Sequence, residues 1–182
     1  MPLTRRNVST MLHRMRCLRP ALMGFALLFL GVVSLDAQSV QELKIAVTGD
    51  VATPLTLNAN DLAKMPREHV DVAAPDGPKS SYEGVTLQEI LKKAGIGFGS
   101  QMRGKALAAY VLAEASDGYT VVFSLGELDP DLGALHVIVA DTRDGKPLAA
   151  DQGPARLVLP ADKEGARSVR MLDKLEVVKL RK

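Results

Sequence analysis

Apolar and polar positions alternate in short bursts along most of this chain. Leu43, Ile45 and Val47 alternate with Lys44 and Ala46, the period-two signature of a half-buried strand. Pro54 to Leu57 reads as a second short strand. Asn60 is placed to cap a brief helix through Leu62 and Met65, which Pro66 stops. Val70 and Val72 alternate again before the turn-rich stretch Pro75-Asp76-Gly77-Pro78.

The clearest helix begins at Thr86. Thr86 and Glu89 have capping-box spacing, so hydroxyl and carboxylate can satisfy backbone donors reciprocally. Leu87, Ile90, Leu91 and Ala94 then form one apolar stripe, and Gly95 suits the position just past the helix end. Strands are predicted from Ala106 to Leu112 and from Thr120 to Phe123, joined at Asp117-Gly118. Ser124 and Glu127 repeat the capping spacing ahead of a helical turn ended by Pro130. Leu135 to Ala140 reads as a buried strand before the turn Asp144-Gly145, and Arg156 to Leu159 and Leu175 to Leu180 complete the set. Many short strands with two or three short helices predict an α+β fold of mainly antiparallel, mixed sheets.

The front of the chain follows another pattern. Arg5, Arg6, Arg14, Arg16 and Arg19 make a basic region, Ala21 to Leu35 an uncharged apolar run, and Asp36-Ala37-Gln38 a polar exit. That order predicts a secretory signal peptide over residues 1–37, with an uncleaved membrane anchor as the alternative, and a single domain over residues 38–182. The expected location is periplasmic. Thr4-Arg5-Arg6 leaves the twin-arginine and general secretory routes both open.

Composition changes meaning once that segment is set apart. Five of the 23 Lys and Arg and one of the 21 Asp and Glu lie there, leaving 18 basic and 20 acidic side chains in the remainder. A nucleic-acid partner therefore has no electrostatic support. The one cysteine, Cys17, also falls in this segment, so the domain beyond it has no thiolate for a metal or a disulfide.

The order of motifs resembles a known family. Tyr82-Glu83-Gly84-Val85-Thr86-Leu87 and the helix ending in Ala94-Gly95 form one block, and Ser116-Asp117-Gly118-Tyr119 with Ser124-Leu125 a second. Asp144-Gly145-Lys146-Pro147-Leu148 with Gly153-Pro154-Ala155-Arg156-Leu157-Val158-Leu159-Pro160 is the third, and Arg167-Ser168-Val169-Arg170-Met171-Leu172 the fourth. Together they resemble the molybdopterin-binding domain of sulfite oxidase-type oxidoreductases, over roughly Leu43 to Leu180. The resemblance implies that fold, and a cofactor whose molybdenum is held by one cysteine on the loop after an early strand. Here that loop is Val70 to Pro75, with alanine where sulfur is expected, and an alanine methyl group cannot act as a soft anionic ligand. Asp151 stands where the family often has a cofactor-facing histidine, and its charge would repel a pterin phosphate.

What survives of the family's site is Arg156, the stretch Ser168, Val169 and Arg170, and Asp117. Arginine and backbone donors near Ser168 could hold an anion. Each residue also has a structural reading. Arg156 could bond loop carbonyls or Asp151, and Asp117 could serve its own turn. His69 and His136 lack partners at metal-ligand spacing, and Asp129, Asp131, Asp141 and Asp144 read as solvated loop charges. Three functions stay open. The first is a non-catalytic binding module with an anion-binding cleft and no cofactor. The second is a molybdopterin-dependent periplasmic oxidoreductase with atypical metal ligation. The third is a structural domain that docks on a periplasmic or membrane redox partner.

Overall fold

The computed structural model describes residues 42–73 and 78–180. All lie in the unit Ser39–Lys182 into which the chain divides. The signal-peptide expectation, Cys17 and the turn at 75–77 fall outside the described residues. Among those residues, no helix is long and apolar enough to cross a membrane.

In chain order the elements are β1 (Lys44–Gly49), β2 (Leu55–Asn58), α1 (Ala59–Ala63), β3 (Glu68–Ala73), β4 (Lys79–Thr86), α2 (Leu87–Lys93), β5 (Ala109–Ala115), β6 (Thr120–Ser124), α3 (Leu125–Leu128), β7 (Ile138–Arg143), β8 (Lys146–Pro147), β9 (Arg156–Val158) and β10 (Leu172–Lys179). They form two sheets. The first has the order β2-β1-β10-β5-β6; the second runs β3-β4-β7-β8, with β9 also on β7. Every pairing is antiparallel except β1 with β10, so the expected mixed, mainly antiparallel α+β architecture is present.

The main core unites both sheets. Ile45, Val47, Val111 and Val177 of the first sheet and Val85, Val139 and Leu157 of the second belong to one apolar cluster with Leu87, Ile90 and Leu91 of α2. The opposite face of the second sheet carries a separate small cluster of Val70, Tyr82, Ile138, Ala140 and Val158. That second face, unlike the first, carries charge.

The helix caps follow the local sequence signals, with two differences. Thr86 Oγ1 accepts from the Glu89 N–H and Gly95 takes φ +87°, as the spacing predicts. Glu89 does not return the bond, because its carboxylate pairs with Lys92 at 2.8 Å. The cap of α1 is Asn58, not Asn60. Asn58 exchanges bonds of 3.0 and 3.1 Å with Asp61, a reciprocal arrangement that Asn60 has no acidic residue at the right spacing to make.

Strand boundaries moved more. The strand expected at 106–112 starts at Ala109, after a 3-10 turn over Gly104–Ala108 whose first residue sits at φ +57°. The strand expected at 135–140 starts at Ile138. Residues before it are held as loop by bonds from the Ala134 N–H to the Asp129 carbonyl and from the Leu135 N–H to the Glu127 carbonyl. β4 was not expected at all, although it is the central strand joining β3 to β7. Gly84 lies in it because a Cβ there would meet the Val139 carbonyl oxygen at 2.1 Å. Glycine lets β4 and β7 approach that closely.

Candidate functional site

The charged face of the second sheet is set by one irregularity. Glu83 pairs with Thr142, but the next residue, Gly84, pairs with Ala140, so Asp141 is an extra residue in β7. Side chains alternate along a strand, and one inserted residue reverses the alternation beyond it. Ala140 and Ile138 lie on the outer apolar face, and the bulge returns Arg143, opposite Tyr82, to that same face. Arg156, opposite Ala140 through β9, joins them.

Two guanidinium groups therefore flank the buried Tyr82 ring. Arg143 lies 5.6 Å and Arg156 5.2 Å from its centroid, distances at which the ring's negative face attracts a cation. Arg143 donates to Ser80 Oγ at 2.6 and 3.1 Å, and Asp144 is 3.4 Å from its Nε. Arg156 donates to Gln152 Oε1 at 2.5 Å, and at 3.4 Å to the Tyr82 hydroxyl and the Leu157 carbonyl. Gln152 in turn donates through Nε2 to Asp151 Oδ2 at 2.9 Å. The Met171 N–H donates to the Gln152 carbonyl, which brings Arg170 to the same corner.

The electrostatics mark Arg156. Burial pushes its guanidinium below the ordinary arginine value, and the charges of Arg170 and Arg143 push the same way, opposed by Tyr82 and Asp151. Its bonding partners are all neutral. The group stays protonated, because arginine does not lose its proton in proteins. Arg156 is thus a half-buried cation whose hydrogen bonds all go to neutral groups.

Another arginine on the same sheet shows the opposite condition. Arg67, just before β3, donates two bonds to Asp141 at 2.7 and 3.0 Å and one to Glu83 at 2.6 Å. Its proton affinity is raised, chiefly by Asp141 and against the cost of burial. Burial of Asp141 alone would raise its pKa, but bonds from Arg67 and Thr142 prevail and hold the carboxyl below the usual value. Asp141 and Asp129 are thus not the solvated loop charges expected of them. Asp129 is fully buried and accepts the Gly99 and Asp131 N–H groups at 2.6 and 2.9 Å, fastening the loop after α3.

The residues singled out from the sequence divide. Arg156 lies in the fields of Arg170 and of Arg143, which sequence reasoning missed because its place opposite Tyr82 depends on the bulge. Ser168 and Val169 lie beside them, yet their backbone donors are already used. The Ser168 N–H bonds the Gly165 carbonyl and the Val169 N–H the Arg167 carbonyl, so these are not free anion donors. Asp117 accepts from the Tyr119 N–H at 3.0 Å and closes its own turn. His136 pairs with Glu68 at 2.8 Å beside a cavity of about 370 Å³, and His69 is exposed, 3.9 Å from Glu83.

The molybdopterin group implied by the resemblance fits this face only in part. A phosphate complements the two arginines against Tyr82 and the field of Arg170 nearby. The metal finds no match: the described residues contain no cysteine, and no three His, Cys, Asp or Glu among them gather at ligating distance. Ala73, at the end of β3, carries only a methyl group, while Ala74 and Pro75 fall outside the described residues.

Comparisons with known proteins agree with the fold. The sulfane dehydrogenase SoxCD of Paracoccus pantotrophus is structurally similar, with 23% identity and a TM-score of 0.58, over 74% of this chain and 37% of that one. The chain thus spans little more than a third of that protein's length. No curated protein matches. The family model for the oxidoreductase molybdopterin binding domain matches residues 78–182, which contain β4 and every residue of the arginine face. This chain belongs to the oxidoreductase molybdopterin-binding domain family and has the sulfite oxidase-type fold.

Proposed function

We propose that this domain is an exported, non-catalytic binding module that holds a small oxyanion, or the phosphate or sulfate group of a larger molecule, on the arginine face around Tyr82. One observation carries the reading. Arg156 is desolvated beside two further arginines, and none of its hydrogen bonds reaches a carboxylate. An unneutralised cation in a partly buried position is costly in the free protein, and an incoming anion removes that cost. Arg143 and Arg170 supply the charge that would fix a second and third oxygen.

The direct test is thermal unfolding with added phosphate or sulfate. Binding to the folded state raises the midpoint by mass action, by about 2.7 kcal/mol of stability at a hundredfold excess over Kd. Arg156→Gln should remove the rise. If Arg156→Gln keeps the full shift, the site is elsewhere.

A second reading is favoured by the family match itself, namely a periplasmic molybdopterin oxidoreductase with an unusual metal ligand. Arg143, Arg156 and Arg170 would then hold the pterin phosphate, and the cofactor would supply the redox chemistry. Elemental analysis of protein from a host that makes molybdopterin separates the two. Stoichiometric molybdenum supports the enzyme and sinks the non-catalytic module.

A further inference from the structure

Asp144 pairs directly with Arg143 at 3.4 Å, whereas Asp151 serves Arg156 only indirectly. Asp151 is exposed, and its Oδ2 accepts from Gln152 Nε2 at 2.9 Å, while Gln152 Oε1 accepts from Arg156 at 2.5 Å. The amide thus stands between the acid and the buried cation, bonding each with the end that suits it. A carboxylate seated directly on Arg156 would complete an ion pair like that of Arg67 and Asp141. Here the pair is interrupted by one neutral side chain.

We propose that Asp151 is a built-in competitor, a tethered counter-anion that sets how strongly, and for which charge, the arginine face takes its ligand. This rests on the anion-binding reading and deepens it. With Asp151 in place the corner combines three cations with two anions, Asp151 and the Asp144 paired with Arg143, so it retains a net positive charge that attracts a free anion. Any ligand that arrives is repelled by Asp151 in proportion to its own charge, because Coulomb energy scales with the product of the charges. Asp151 therefore weakens dianions more than monoanions. The fields of Arg170 and Arg143 reach Asp151 and, after its bond to Gln152, help hold the carboxyl below its usual value, so it is ionised at neutral pH. Gln152 gives the device its geometry: it keeps Asp151 at the rim and Arg156 facing its neutral partners.

The test is Asp151→Asn, which removes the charge and keeps an oxygen to accept the Gln152 bond. Calorimetric titration with inorganic phosphate at pH 8, mostly the dianion, and with nitrate, a monoanion, is run on wild type, Asp151→Asn and Asp151→Asn/Arg156→Gln. Phosphate should bind the single variant on the order of tenfold tighter than wild type, and nitrate about threefold tighter. The double variant should lose both. Binding to Asp151→Asn alone, with none detectable to wild type, supports the proposal too. Equal phosphate affinity in wild type and Asp151→Asn overturns the competitor and leaves the anion site standing. A gain that is the same for both anions also overturns it. If neither wild type nor Asp151→Asn binds phosphate, the anion-binding reading fails, and the competitor with it.

Discussion

Arg67 and Arg156 stand on one sheet, each partly buried, each flanked by β-strand side chains, and they have opposite electrostatic surroundings. Arg67 is met by two carboxylates, with three bonds between 2.6 and 3.0 Å. Arg156 is met by an amide, a phenol and a carbonyl, and by two other cations. A satisfied arginine is explained by what it holds together. One that bonds only neutral groups keeps its charge available, which is what the proposed anion site uses. The two are also mechanically linked, since the Asp141 that Arg67 clamps is the extra residue that turns Arg143 toward Tyr82. The closed cluster builds the open one.

The strongest way to break the contrast is to disturb the backbone both clusters share. Gly84→Ala places a methyl group 2.1 Å from the Val139 oxygen, with no flexible side chain to yield. We expect a loss of about 3 kcal/mol or more in urea unfolding, and loss of any response to phosphate. A cost below about 1 kcal/mol would mean that β4 and β7 can separate without consequence.

Next come the two arginines themselves. Arg67→Met strands Asp141 and Glu83 without their cation and should cost about 2 kcal/mol, below the fully buried case because Arg67 keeps 23% exposure. It should also reduce the phosphate response by loosening the bulge. Arg156→Met removes a cation that no carboxylate bonds and should change stability by less than about 0.5 kcal/mol in anion-free buffer, or increase it. Equal costs for the two substitutions would erase the distinction.

Acidity sharpens the same comparison. The folded-state pKa of Asp141 is depressed, so its contribution is complete above the unfolded value of about 4 and is lost as pH falls through the folded value. Asp141→Asn should be less stable at pH 7 and lose less on acidification. Urea midpoints between pH 7 and pH 2 measure this, and parallel curves for the two proteins would contradict it. The smallest effect belongs to Asp117→Ala, which removes one exposed turn bond and should cost about 0.5 kcal/mol without changing phosphate binding.

Features whose physics is confined to a few neighbours could be read directly. Thr86 and Ser124 cap helices, Gly95 ends one, and Asp144-Gly145 turns β7 into β8, because each bond spans three or four residues. β4 escaped because Tyr82-Glu83-Gly84-Val85 lacks clean alternation; its strand conformation comes from two neighbours distant in sequence. Arg143 escaped for a related reason. Nothing in Ala140-Asp141-Thr142-Arg143 announces that one residue is extra, since a bulge exists only relative to the partner strand. Asp129 looked solvated because a charge flanking proline usually is; its backbone partner at Gly99 lies 30 residues away.

The sequence by itself determined the fold class, the ordered motifs of a molybdopterin-binding domain and the absence of any thiolate beyond Cys17, since these depend on residue identity and local period. It also pointed to Arg156 and Arg170. Only the tertiary structure decided that Arg143 joins them, that Ser168 and Val169 spend their donors on their own turn, and that Gln152 stands between Asp151 and Arg156. Those outcomes turn on strand register and on which partner each polar group finds. Both are properties of chain segments meeting in space, and neither exists until the sheets have formed.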